Sequence, residues 1–167
     1  MRMDAETRVL EAPGEHRDEL RLWLRLLTCA TMIETEIRSR LRTRFDVTLP
    51  RFDLMAQLDK APGGLTLGEL SRRMMVTNGN ITGLVDTLAG QGLIAREPHA
   101  TDRRATLVRL TPAGRRGFAV MAGEHGAWIA HLFAGLGPRD IAALMALLSR
   151  LKTSVRQAPD DEDPASC

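Results

Sequence analysis

The feature that most constrains this chain is Gly90-Gln91-Gly92, where one hydrophobic periodicity stops and another begins. Upstream, Ile81, Leu84, Val85 and Leu88 recur at the three-and-four spacing of a helix. Downstream, Leu93–His99 and Ala105–Leu110 are short strand-like runs separated by Ala100-Thr101-Asp102-Arg103-Arg104. Two helical residues' worth of glycine cannot be carried through a helix interior cheaply, so the chain must turn here. Pro98 lacks an amide donor and places the first run at a sheet edge.

A second break precedes this helix. Ala61-Pro62-Gly63-Gly64 interrupts the chain, and Thr66-x-x-Glu69 has the pattern of a capping box, in which hydroxyl and carboxylate satisfy reciprocal amides. The spacing predicts a helix from there to about Met75, with Leu67, Leu70 and Met74 inward, and a second helix from about Thr77 to Ala89. Pro50 is read as the first residue of a short helix holding Phe52, Leu54, Met55 and Leu58. Thr111-Pro112 opens another helix, in which Phe118, Met121, His125, Trp128 and Leu132 form a seam; Ile141, Leu144, Leu148, Leu151 and Val155 repeat it after Gly135–Pro138. From Arg17 to Phe45 a long helix is apolar on two sides, through Leu20, Leu24, Leu27 and Thr31 and through Leu22, Leu26, Ile33, Ile37 and Leu41. Such a helix has two partners to bury against, its own core and a second subunit.

The fold class expected is mainly α (α+β): a winged helix-turn-helix lobe over 48–110, with dimerisation helices over 17–47 and 111–157. Residues 1–16 are read as a flexible arm and 158–167 as a disordered acidic tail. At 167 residues the chain can bury a real core. No apolar run reaches the ~20 residues of a membrane span, and a signal-peptide centre is lacking, so the expected location is cytoplasmic, without a membrane partner.

Charge is distributed unevenly. Between Lys60 and Arg116 lie nine basic and four acidic residues, which suits a polyanion, although an arginine-rich solvated surface gives the same count. The helix opening Thr77-Asn78-Gly79-Asn80, followed by Thr82 and Gly83, is polar on the side opposite its apolar stripe. Asparagine can donate to and accept from adenine together, and a threonine methyl can meet a thymine methyl. Gly79 and Gly83 each cost roughly 1 kcal/mol of helix propensity relative to alanine, a cost that close backbone approach to DNA would explain. Ser71 and Arg72 on the preceding helix are candidate phosphate contacts; Arg73 is expected to pair with Glu69. These residues make double-stranded DNA the expected partner.

Leu65-Thr66-Leu67-Gly68-Glu69-Leu70, the Asn78–Leu88 helix, Gly92-Leu93-Ile94, and Asp102-Arg103-Arg104 leading to Leu110-Thr111-Pro112-Ala113-Gly114 together resemble the MarR family of transcriptional regulators, over about Leu20 to Val155. The resemblance implies that Arg104 enters a minor groove, that Asp102 orients it and that Arg103 touches phosphate. It also implies a homodimer on a pseudo-palindromic operator, with half-sites about one turn (~34–36 Å) apart.

The same resemblance implies a small-molecule effector between the dimer helices and the DNA-binding lobe, in a region lined by Trp23, Leu27, Thr28, Thr31, Met32, Phe52 and Met55. Each of these is also an ordinary core residue. The segment Arg21–Cys29 is similar to the branch controlling hydroxycinnamate and aromatic-acid catabolism, so the expected effector is an aromatic carboxylate or its coenzyme A thioester. Arg21, Arg25, Arg38, Arg40, Arg42 and Arg44 would offer charge to its phosphates.

The function expected is a ligand-released repressor; the alternative is a redox-sensing repressor using Cys29. Thr28, Ala30 and Met32 around that cysteine favour a buried, inert thiol. His16, His99, His125 and His131 lack metal-ligand spacing, so no metal or cofactor is expected. With no phosphate-cradling glycine loop and no Gly-x-Ser-x-Gly elbow, the chain is not expected to be an enzyme.

Overall fold

The computed structural model describes residues 16–98 and 105–158; the expected N-terminal arm, the hairpin tip and nearly all of the acidic tail lie outside them. Among the described residues, six helices and three strands follow in the order α1 (Arg17–Phe45), α2 (Leu49–Asp59), β1 (Leu65–Thr66), α3 (Leu67–Met74), α4 (Asn78–Gly90), β2 (Ile94–Pro98), β3 (Thr106–Leu110), α5 (Pro112–Leu132) and α6 (Pro138–Gln157). The chain divides into two compact units, one through Trp128 and one from Ile129 onward. α1 and α5 as far as Trp128 fall in the first unit together with the winged helix elements.

The long helix ends where Asp46 takes the left-handed conformation (φ 52°), its amide donating to Arg42 O at 3.0 Å and that of Val47 to Leu41 O at 3.3 Å. These bonds satisfy the last carbonyls, as an αL cap should. Thr48 then caps α2, which starts at Leu49, one residue before the proline expected to open it.

In the first unit, Ile37 and Leu41 of α1 are buried, with Phe52, Leu54, Met55 and Leu58 of α2, Leu70 of α3, and Ile81, Val85 and Leu88 of α4. Each fully buried aliphatic side chain of this kind stabilises the fold by about 1.5–3 kcal/mol before entropy is set against it. On α5 the seam closes against the same core. The Phe52 and Phe118 rings lie 5.4 Å apart, Phe52 and His125 4.8 Å, and Phe45 and Trp128 6.2 Å.

The sheet order is β1-β3-β2, all antiparallel. Two-residue β1 is too short for a periodicity to reveal, and it turns the expected hairpin into a three-stranded sheet. Leu65 pairs with Val108 on one side of β3, while Ile94 pairs with Leu110 on the other. Pro98, opposite Thr106 at the end of β2, occupies the edge its missing amide demands. Gly64 (φ +92°) feeds β1; a Cβ there would meet Val108 O at 2.9 Å, so only glycine fits both the backbone and the space.

In the second unit, α6 follows Gly137, whose amide donates to Asp140 Oδ2 at 3.0 Å. None of its residues is buried: Ile141, Leu144, Leu148, Leu151 and Val155 form an exposed apolar stripe.

Candidate nucleic-acid interface

The two helices expected to meet DNA are built by their caps. Thr66 begins α3, with its backbone amide donating to Glu69 Oε2 at 2.7 Å and its Oγ1 accepting from the Glu69 amide at 3.3 Å. The hydroxyl also donates to the same carboxylate oxygen at 2.8 Å. These bonds, the backbone one foremost, hold Glu69 below the usual carboxylate range, and the positive charges of Arg72 and Arg73 act in the same direction. The carboxylate is thus committed to Thr66 rather than paired with Arg73 as expected.

At the other end, Met75 closes α3 in the left-handed conformation (φ 55°) with its side chain 91% exposed. The Ser71 hydroxyl donates to Val76 O at 2.6 Å, tying the turn together. Ser71, expected as a phosphate contact, thus braces the turn here. Arg72, the other candidate phosphate contact, is exposed.

Thr77 is the N-cap of α4, extended (φ −68°, ψ 152°), with no side-chain capping bond. The first main-chain bond of the helix runs from the Ile81 amide to Thr77 O at 3.2 Å, which leaves the amides of the first turn pointing outward. Asn78, Gly79, Asn80, Thr82 and Gly83 are all exposed, while Ile81, Val85 and Leu88 on the opposite side are buried. Asn78 and Asn80 are the only asparagines in the chain. Thr82 Oγ1 donates to Asn78 O at 3.0 Å, one turn back on the same exposed face. Ideal Cβ atoms at Gly79 and Gly83 meet nothing within 4 Å, so nothing in the fold itself requires glycine at either position.

Two ion pairs are invisible in the sequence because their partners lie on different elements: one joins this helix to the sheet and the other joins two strands. Arg96 of β2 pairs with Asp86 of α4, and Arg109 of β3 lies 3.6 Å from Glu97 of β2. The first links α4 to the strand that leads into the hairpin tip. Asp102, Arg103 and Arg104, the residues expected at that tip, lie outside the described residues.

The residues expected to hold an effector separate into two groups. Phe52 and Met55 are buried in the core, and Trp23 is exposed on α1, one turn before Leu27. Leu27, Thr28, Thr31 and Met32 do come together, with Thr35 and Glu36, along an open groove on α1 of about 540 Å³. Glu36 is its one charged lining residue, and Arg40 pairs with it at 2.6 Å while stacking over Trp128 at 5.9 Å. The arginines expected to offer charge are largely engaged: Arg21 with Asp18 (3.6 Å), Arg38 with Glu34 (2.5 Å) and Arg44 with Glu124 (2.9 Å). Cys29, expected to be buried, is exposed, because no element among the described residues covers the α1 surface around it.

Comparison with known proteins agrees with this geometry. Residues 45–105 match the sequence profile described as MarR family. The chain is 32% identical over 104 residues to the transcriptional activatory protein BadR of Rhodopseudomonas palustris, covering 61% of this chain and 59% of BadR. It thus spans about three-fifths of the length of that relative. A MarR family transcriptional regulator from Silicibacter pomeroyi superposes with a TM-score of 0.73 at 29% identity, over 86% of this chain and 99% of that one. A MarR variant from E. coli, complexed with operator DNA, gives 0.72 at 22% identity over 83% and 99%, a likeness of fold. These are regulators and not enzymes. Residues 45–105 thus match the MarR family profile, and the fold around them is similar to the winged helix of MarR family transcriptional regulators.

Proposed function

We propose that this chain is a DNA-binding transcriptional regulator that acts as a homodimer on a pseudo-palindromic operator. The observation that carries the reading is the split character of α4: a buried stripe of Ile81, Val85 and Leu88, and an opposite exposed face made of the chain's two asparagines, Thr82 and two glycines with open space above them. Such a face displays amide donors and acceptors and lets backbone come close, which is what base edges in a major groove require.

The exposed apolar residues support the homodimer. Leu20, Leu22, Trp23 and Leu27 on α1 form one exposed apolar face and the stripe on α6 another, and a second copy of the chain is the partner that would cover each of them. The E. coli MarR variant and an S. aureus MepR are both known in complex with DNA, which favours the same partner here.

The regulator acts as a repressor released by an aromatic carboxylate or its coenzyme A thioester. The groove along α1 offers Leu27 and Met32 to a ring and three threonine hydroxyls to polar groups. Release requires that the effector bind one dimer geometry better than the other.

Fluorescence anisotropy on DNA upstream of the chain's own gene tests all of this, at two salt concentrations and with each effector class. Tight, salt-dependent binding to one fragment over random duplex is expected, with release by one class. Equal binding to every duplex removes the specific-regulator reading; enhanced transcription on binding makes it an activator.

A further inference from the structure

The chain's two asparagines stand two residues apart in the first turn of α4, and their chemical surroundings differ. Asn78 is followed by Gly79, and Asn80 by Ile81. An asparagine amide is lost when the backbone nitrogen of the next residue attacks its Cγ, and a side chain on that next residue hinders the attack. Ile81 is β-branched and buried, and its amide is bonded to Thr77 O. Gly79 has no side chain, an ideal Cβ there would meet nothing within 4 Å, and its amide precedes the first helical bond, so no carbonyl holds it. Asn78 is exposed, Thr77 gives the turn no side-chain cap, and glycines at 79 and 83 weaken the helix that would otherwise keep the attacking nitrogen out of line.

We propose that Asn78–Gly79 is a site of spontaneous deamidation, and that its conversion weakens the hold of α4 on DNA. In the first step the Gly79 nitrogen gives its proton to solvent base and bonds to Asn78 Cγ, and the side-chain amide nitrogen leaves as ammonia. The resulting five-membered succinimide then takes up one water at either of its carbonyls. The products are an aspartyl or an isoaspartyl residue, with no change of oxidation state. Net, one amide and one water become a carboxylate and ammonium.

Both products act on the DNA-facing surface. An aspartyl residue adds a negative charge where phosphates approach, yet it suits the positive end of a helix, so the fold keeps its stability while DNA is repelled. An isoaspartyl residue adds a methylene to the main chain and displaces the first turn. Bound DNA keeps that turn closed, so the operator-bound protein converts more slowly than the free one. The consequence for DNA rests on the function proposed above; the chemistry does not.

The test incubates the full-length chain at mildly alkaline pH and warm temperature, with and without the upstream duplex, and follows positions 78 and 80 separately by peptide mass mapping and isoaspartyl methyl-acceptor assay. Conversion confined to position 78, slowed by duplex and suppressed in Gly79→Ala, is expected. Asn78→Asp should melt like the parent and bind the duplex about tenfold or more weakly, the loss of one good base contact. Equal conversion at 78 and 80, or none while a free Thr-Asn-Gly-Asn peptide converts, overturns the site. Undiminished DNA binding by Asn78→Asp overturns its consequence. A parent protein that binds no duplex at all defeats the regulator reading, and the mapping still decides the chemistry.

Discussion

Gly114 lies so close to the main chain of Leu93 that a Cβ at position 114 would fall 1.9 Å from the Leu93 carbonyl oxygen. That oxygen accepts from the Thr111 amide at 3.0 Å, while Thr111 Oγ1 donates to Gly92 O at 2.8 Å and accepts from the Gly114 amide at 3.0 Å. One threonine and one glycine thus seat the start of α5 on the turn that leaves α4. Neither obstructing group is a flexible side chain, so Gly114→Ala must push backbone apart. We expect a loss of about 1–3 kcal/mol, as for overpacked cores, read as a lower melting temperature. An unchanged midpoint would show that the helix start can slide.

The capping box gives a second expectation, with a pH signature. Glu69 is held below its ordinary value of 4.5, so its contribution to stability is present above that pH and is lost as pH falls through the depressed value. Thr66→Ala should cost about 1 kcal/mol at neutral pH. Glu69→Gln should be less stable than the parent at neutral pH and converge with it in acid. Parallel melting curves across that range would show that the charge contributes nothing.

Asp53 behaves in the opposite sense. Desolvation raises it above its ordinary value of 3.8, the charge of Glu34 adds to the rise, and that of His125 opposes it. A raised carboxylate favours the fold below the unfolded value, and that contribution is lost as pH rises through the folded one. Asp53→Asn is therefore expected to raise the melting temperature at neutral pH, with the gain shrinking towards pH 4. A destabilised variant would mean that the His125 attraction dominates.

The parts of this fold that announce themselves in the sequence are those written within one turn of chain. The Thr66–Glu69 box, the Thr111 cap and the α4 stripe all link residues three or four apart, and the structure contains each of them. What stayed hidden connects distant residues: the Leu65–Val108 pairing that makes β1, and the Arg96–Asp86 bridge from sheet to helix. Local pattern also misjudged burial on α1. Cys29 sits among apolar neighbours yet is exposed, because a two-sided apolar helix cannot reveal which of its sides its own chain covers. Phe52 and Met55, read both as candidate effector contacts and as ordinary core residues, are buried, and the Phe52 ring meets Phe118 and His125 of α5.

Gly83 separates folding from function most cleanly. It sits inside α4 with helical backbone on both sides, nothing lies within 4 Å of where its Cβ would be, and Thr87 Oγ1 donates to its carbonyl at 2.9 Å. For the free protein, alanine is the better residue, by roughly 1 kcal/mol of helix propensity. If α4 lies against DNA with its backbone close, the same methyl group intrudes on the contact. Gly83→Ala should therefore melt higher than the parent and bind the upstream duplex less tightly. Asn80→Ala should also leave the fold intact, and lose roughly 1–3 kcal/mol of discrimination between matched and mismatched duplexes. A Gly83→Ala protein that is more stable and binds equally well would place that face of α4 away from the bases, and the recognition surface would have to be sought elsewhere.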